Sequence, residues 1–208
     1  FWQSGDLYKA VSGNTMINQL ISSPLDGSMN NIYLRIHNEA GITSYPLLGI
    51  HSSSKVSTGK GMIVWEGTAE DVEYKVSFVL QPEGIWFWDV QTRGQGQVID
   101  IIYGQDVGIA DIGAVRSNEA YLSQYIDYRV FEHSEQGYVV CSRQNQPQGG
   151  AFPYLQQGSL SGASAYSTDG FQFFGLSYKE TNTPVSLNQE KLACEVYQYE
   201  FAYTGLQS

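Results

Sequence analysis

The chain has 208 residues, a formal net charge of −10 and 42% hydrophobic residues. At that length one large β domain buries a core without help from a disulfide or a metal. The scattered Lys and Arg exclude nucleic acid and anionic membrane surfaces as partners, and no run of about eighteen apolar residues offers a membrane span. The two cysteines, Cys141 and Cys194, lack a CxxC spacing. That usage fits a reduced, cytoplasmic setting with both thiols free. No secretory leader opens the chain, and it starts at Phe1 without an initiator Met, so it reads as a piece of a longer polypeptide.

In chain order, the first strong strand signal is 31–37 (NIYLRIH), with Ile32, Leu34 and Ile36 on one face and Tyr33 and Arg35 on the other. The apolar run 61–66 follows, then the alternating 72–80 (VEYKVSFVL) and the aromatic 84–90 (GIWFWDV). Gly94-Gln95-Gly96 reads as a hairpin turn leading into a strand over 97–103, and lacks the Lys and helix of a phosphate loop. Residues 117–127 predict a short helix with Ser117 as its N-cap. Strands are expected again over 137–143 and 171–178. The segment 186–205 predicts a helix, because Ser186 and Gln189 form a capping-box pattern and Leu192, Val196, Tyr199 and Tyr203 keep helical spacing. A final alternating strand within it is the rival reading. Many strands between short Gly, Pro, Asn and Asp turns predict a mostly β fold, a large antiparallel β-sandwich with one or two short helices in a single domain over 1–208.

Catalytic motifs are missing from the sequence. His37, His51 and His133 lack a nucleophile elbow and read as structural or surface groups. The pair Asp106 and Asp111 lies in a Gly-rich stretch and reads as turn chemistry sooner than a cation site. Asp106, Asp111, Glu119 and Asp127 are the carboxylates available for glycosidic work, with no sign that any two oppose each other. No catalytic residue, metal ligand or resident cofactor is expected.

Sugar recognition is better supported by side-chain chemistry, since sugars take flat aromatic faces and planar hydrogen-bonding groups. The stretch 143–158 (RQNQPQGGAFPYLQQG) supplies Arg143, Gln144, Asn145, Tyr154, Gln156 and Gln157 as substrate-binding candidates, with Gln146 and Phe152 nearby. Its alternative is a loop whose amides satisfy the backbone of a neighbouring segment. Trp86 and Trp88 share a strand face, as a stacking platform or, more simply, as core.

Several stretches carry a family resemblance: 103–127 (YGQDVGIADIGAVRSNEAYLSQYID), 141–148 (CSRQNQPQ), 152–182 (FPYLQQGSLSGASAYSTDGFQFFGLSYKETN) and 196–208 (VYQYEFAYTGLQS). With 23–36 and 45–52, they resemble the sandwich domain of inverting glycoside phosphorylases of the cellobiose-phosphorylase-related group, and within it the 1,2-β-oligoglucan phosphorylases. The resemblance implies a galactose-mutarotase-like supersandwich that packs on an α/α-barrel catalytic domain, shapes its cleft for a β-glucan, and lies outside the catalytic machinery. It implies inorganic phosphate as co-substrate, a barrel that supplies the single acid, and further strands beyond Ser208. Two other readings stay open: a free-standing carbohydrate-binding module, and a mutarotase-like sugar epimerase, which needs Glu and His in one groove.

Overall fold

The computed structural model describes residues 1–197 and 201–208. Its strands are β1 (Val11–Ser12), β2 (Thr15–Met16), β3 (Asn31–Asn38), β4 (Gly41–Pro46), β5 (Lys55–Gly59), β6 (Met62–Ala69), β7 (Val72–Leu80), β8 (Trp86–Arg93), β9 (Val98–Asp106), β10 (Ala110–Asp111), β11 (Ile126–His133), β12 (Gly137–Gln144), β13 (Tyr154–Gln157), β14 (Ala165–Asp169) and β15 (Ala202–Gln207). Helices are α1 (Ile112–Ser123), α2 (Gly170–Phe174) and α3 (Tyr178–Thr181), with a 3-10 turn at Val185–Asn188. The fold is mostly β and antiparallel, as the punctuation of short alternating runs predicts.

A five-stranded sheet in the order β14-β15-β9-β3-β4 forms the centre. Both faces of β3 are buried, which alternation alone does not show. On one side Ile32, Leu34 and Ile36 meet Trp65, Val72, Tyr74 and Val76 of the four-stranded sheet β5-β6-β7-β8, making the sandwich core. On the other side Tyr33, Ile102 and Tyr203 are covered by Phe173, Phe174, Leu187 and Leu192. A three-stranded sheet, β11-β12-β13, packs Val140 against Tyr166 and Leu206 of the central sheet, and Ile126 and Leu155 against Val107 and Ala202.

Arg35 crosses the helix-covered face and is fully buried. Its Nε and Nη2 donate to the two carboxylate oxygens of Asp100, its register partner on β9, at 2.7 and 2.5 Å. The rest of the guanidinium donates to the carbonyls of Leu187, Gln189 and Glu190. Gln207 closes the network: its Nε2 donates to Asp100 Oδ2 at 2.9 Å while its Oε1 accepts from Leu192 N at 3.1 Å. An ion pair that took one arginine out of water therefore ties the 187–192 segment to the central sheet.

Four sequence expectations need correction. The 171–178 segment is not a strand. Asp169 caps α2 by accepting from Gln172 N at 2.9 Å, and Gly175 ends it at φ 77°, a left-handed geometry that favours glycine. The 186–205 segment is not a helix: it holds the 3-10 turn, then irregular chain, then β15, while Tyr199 falls outside the described residues. The carbonyls of 187, 189 and 190 that a helix would use in its own ladder are taken by Arg35. The helix expected over 117–127 is the second piece of a kinked one: the first starts at Ile112 under an Asp111 cap, and Ser117 Oγ donates back to Gly113 O. The chain leaves helical geometry at Asn118, whose Oδ1 accepts from Tyr121 N at 3.1 Å, and the helix ends at Ser123. Gly94–Gly96 is a corner between the four- and five-stranded sheets, since β8 and β9 are not paired.

Candidate functional site

The 126–131 segment alternates: Ile126, Tyr128 and Val130 turn inward while Asp127, Arg129 and Phe131 face solvent. Pairing with β12 and β13 then builds rungs across three strands. Asp127, Arg143 and Tyr154 form one rung, and Arg129, Cys141 and Gln156 the next. Register partners share a face, so these side chains lie together on the outward surface of the sheet. Tyr154 is 76% exposed, and Arg143 stacks its guanidinium 5.1 Å from the Phe152 ring centroid. The result is an open face of two arginines, one carboxylate, an amide and three exposed aromatic rings, Phe131, Phe152 and Tyr154.

The six sequence candidates thus divide. Arg143, Tyr154 and Gln156 stand on the outward face. Gln144 is fully buried; its Nε2 donates to Leu122 O at 3.2 Å and its Oε1 accepts from Gln146 N at 3.0 Å. Gln157 also turns inward, donating to Gln105 Oε1 at 3.2 Å. Asn145 sits at the end of β12, its backbone N–H donating to Tyr125 O. Gln148 accepts from Asp111 N at 2.8 Å, so much of this amide-rich stretch serves a neighbouring backbone. The reading of this loop as support for neighbouring segments therefore holds for Gln144, Gln148 and Gln157, while Arg143, Tyr154 and Gln156 are left exposed. Arg129 is missed because it lies between the helix expected over 117–127 and the strand expected over 137–143; the period-2 alternation of 126–131 is the available signal.

The carboxylates do not oppose one another across a groove. Asp106 is completely buried, accepting from Leu20 N and Asn30 Nδ2, each at 2.5 Å. Asp111 caps α1 through Gly113 N and Ala114 N, Glu119 lies on α1, and Asp127 lies on β11. The histidines serve local structure. His37 Nε2 meets Asp100 Oδ2 at 3.0 Å, but that carboxylate is already engaged by Arg35 and Gln207. His133 Nδ1 accepts from Glu135 N and Gln136 N. His51 borders a hollow of about 40 Å³, room for water and not for a sugar ring. Trp88 joins the core among Phe1, Trp65, Phe78 and Tyr103. Trp86, on the same strand face, packs near Ile126 and Leu155. Cys141 and Cys194 are both free thiols.

Burial raises the Asp106 pKa from 3.8 to about 6, outweighing the donors that favour its ionised form. The folded state therefore holds this proton more tightly than the unfolded chain. The stabilisation is greatest below pH 4 and is lost as pH rises through about 6. A shift of this size corresponds to about 3 kcal/mol. Urea unfolding of the wild type and of Asp106→Asn should show the wild type gaining on the variant as pH falls from 7 to 4. A constant difference would show that Asp106 does not titrate in that window.

The sequence comparisons decide the family. The SOGP N-terminal domain family matches the chain over residues 1–208. The chain belongs to the SOGP N-terminal domain family. This SOGP N-terminal domain is 40% identical over 208 residues, all of its length, to a 1,2-beta-oligoglucan phosphorylase of Listeria innocua. It spans 19% of the length of that curated relative. No helix among the described residues is long and apolar enough to cross a membrane.

Proposed function

We propose that this SOGP N-terminal domain is the non-catalytic β-sandwich domain of a cytoplasmic phosphorylase that cleaves β-glucans to glucose 1-phosphate. The observation that carries this reading is 40% identity along the full chain to a portion of a phosphorylase about five times longer, 19% of which is matched. The side chains support it: Asp106 is buried and Asp111 caps α1, while Glu66 and Glu73, which line an open hollow of about 470 Å³ on β6-β7-β8, are each paired with a cation, Lys75 at 3.0 Å and Arg93 at 2.5 Å. In the whole enzyme, inorganic phosphate is the co-substrate and attacks the anomeric carbon with inversion. One acid in an α/α-barrel protonates the departing glycosidic oxygen, so the sandwich need supply no base. No resident cofactor is required.

The chain acts as one domain, part of a supersandwich, and packs on the barrel to shape its cleft. The outward side of β6-β7-β8 suits that contact. Met62, Val79 and Phe87 form an apolar rung there, with Val64 beside it and Phe87 43% exposed. Burial of such a ring by a neighbouring region is the ordinary use of exposed apolar surface. Phe87→Asp should change the stability of the isolated domain by less than about 1 kcal/mol. In the whole enzyme the same change should lower the unfolding midpoint and the rate of glucose 1-phosphate formation, by about 2 kcal/mol of lost docking. Equal small effects in both settings would remove this face from the interface.

A further inference from the structure

We propose that the outward face of β11-β12-β13 binds a neutral gluco-oligosaccharide, making this domain a glucan-binding one. The proposal deepens the reading of the chain as part of a glucan-acting enzyme and rests on it. A pyranose ring offers apolar C–H faces and a rim of equatorial hydroxyls. Its receptor therefore needs an exposed aromatic ring beside planar donors and acceptors held at fixed spacing.

This face supplies both. Tyr154, at 76% exposure, is far more open than a ring placed for packing. It shares its rung with Arg143, whose guanidinium is set in place over Phe152. One rung along, Gln156 and Arg129 flank Cys141 and add an amide and a second planar fork. Three strands about 4.8 Å apart, with same-face rungs about 7 Å apart, give a patch the size of a short oligosaccharide. The backbone ladders of β11, β12 and β13 hold these groups on rigid strands, so little entropy is lost when a sugar orders them. Charge also argues for a neutral ligand. Two arginines share the face with Asp127, so no purely cationic cluster exists to prefer phosphate, and the chain as a whole is at −10.

The test uses the chain itself, labelled for amide NMR and titrated with 1,2-β-linked glucotriose. Amides of residues 141–143 and 154–157 should shift together and saturate at millimolar sugar. Tyr154→Ala should weaken binding about tenfold or more, while Tyr154→Phe, which keeps the ring face, should stay within about threefold. Because Tyr154 is so exposed, the rest of the spectrum should be unchanged in both variants. No shifts up to about 20 mM sugar, shifts that survive Tyr154→Ala unchanged, or the same shifts produced by inorganic phosphate alone would each overturn the proposal. Its failure leaves the non-catalytic reading standing, because that reading is judged by product formation and not by sugar affinity.

Discussion

Replacing Asp100 with alanine is expected to lower the free energy of unfolding by about 3–5 kcal/mol, because it strands a fully buried guanidinium without its counter-charge. Two charge-assisted hydrogen bonds to Arg35 disappear, and Gln207 loses an acceptor at the same stroke. The damage should spread along the chain, since Arg35 also gathers the carbonyls of Leu187, Gln189 and Glu190. Hydrogen exchange over 187–192 should accelerate in step with the fall in the urea midpoint. Asp100→Asn keeps one acceptor oxygen in place and should lose less. A loss below about 1 kcal/mol for the alanine variant would mean that the segment is held by its apolar contacts instead.

Trp65→Ala should cost a similar amount, about 3–5 kcal/mol, through the cavity it opens between the two main sheets. Trp65 is fully buried, with Trp88 at 5.5 Å and Phe1 at 5.6 Å between ring centroids. Its indole N–H has no hydrogen-bond partner among the described residues. Trp65→Phe therefore forfeits packing volume and no hydrogen bond, and should retain more than half of the stability that the alanine variant loses. Thermal and urea unfolding of the two variants side by side measure this. Equal losses would show that the indole N–H is engaged after all.

What could be read from the residues was the alternation of apolar and polar side chains wherever one strand face meets a core. Residues 31–37, 72–80 and 137–143 fall in strands for that reason, as do 98–103 of the expected 97–103. The errors arise where long-range partners decide. Ser186 and Gln189 have the pattern of a capping box, yet Ser186 Oγ donates to Gln172 O, and Arg35, more than 150 positions away, claims the nearby carbonyls. No local pattern reports such a partner. The 171–178 segment is a different case. Asp169 before it and Gly175 within it were visible as a cap and a stop, but its dense aromatic residues read as strand.

The candidate site was legible as chemistry and not as geometry. The density of planar groups between Arg143 and Gly158 located the region. Which of them face outward depends on the β12–β13 register, which turns Arg143, Tyr154 and Gln156 to solvent and Gln144 and Gln157 inward. Arg129 joined the face only once 126–133 was seen as a strand.

A non-catalytic sandwich domain performs no chemistry by itself. Purified chain incubated with 1,2-β-gluco-oligosaccharide and inorganic phosphate should yield no glucose 1-phosphate above a protein-free blank, while a longer enzyme that carries the domain yields it readily. Phosphate-dependent formation of glucose 1-phosphate by the 208-residue chain alone would contradict the account.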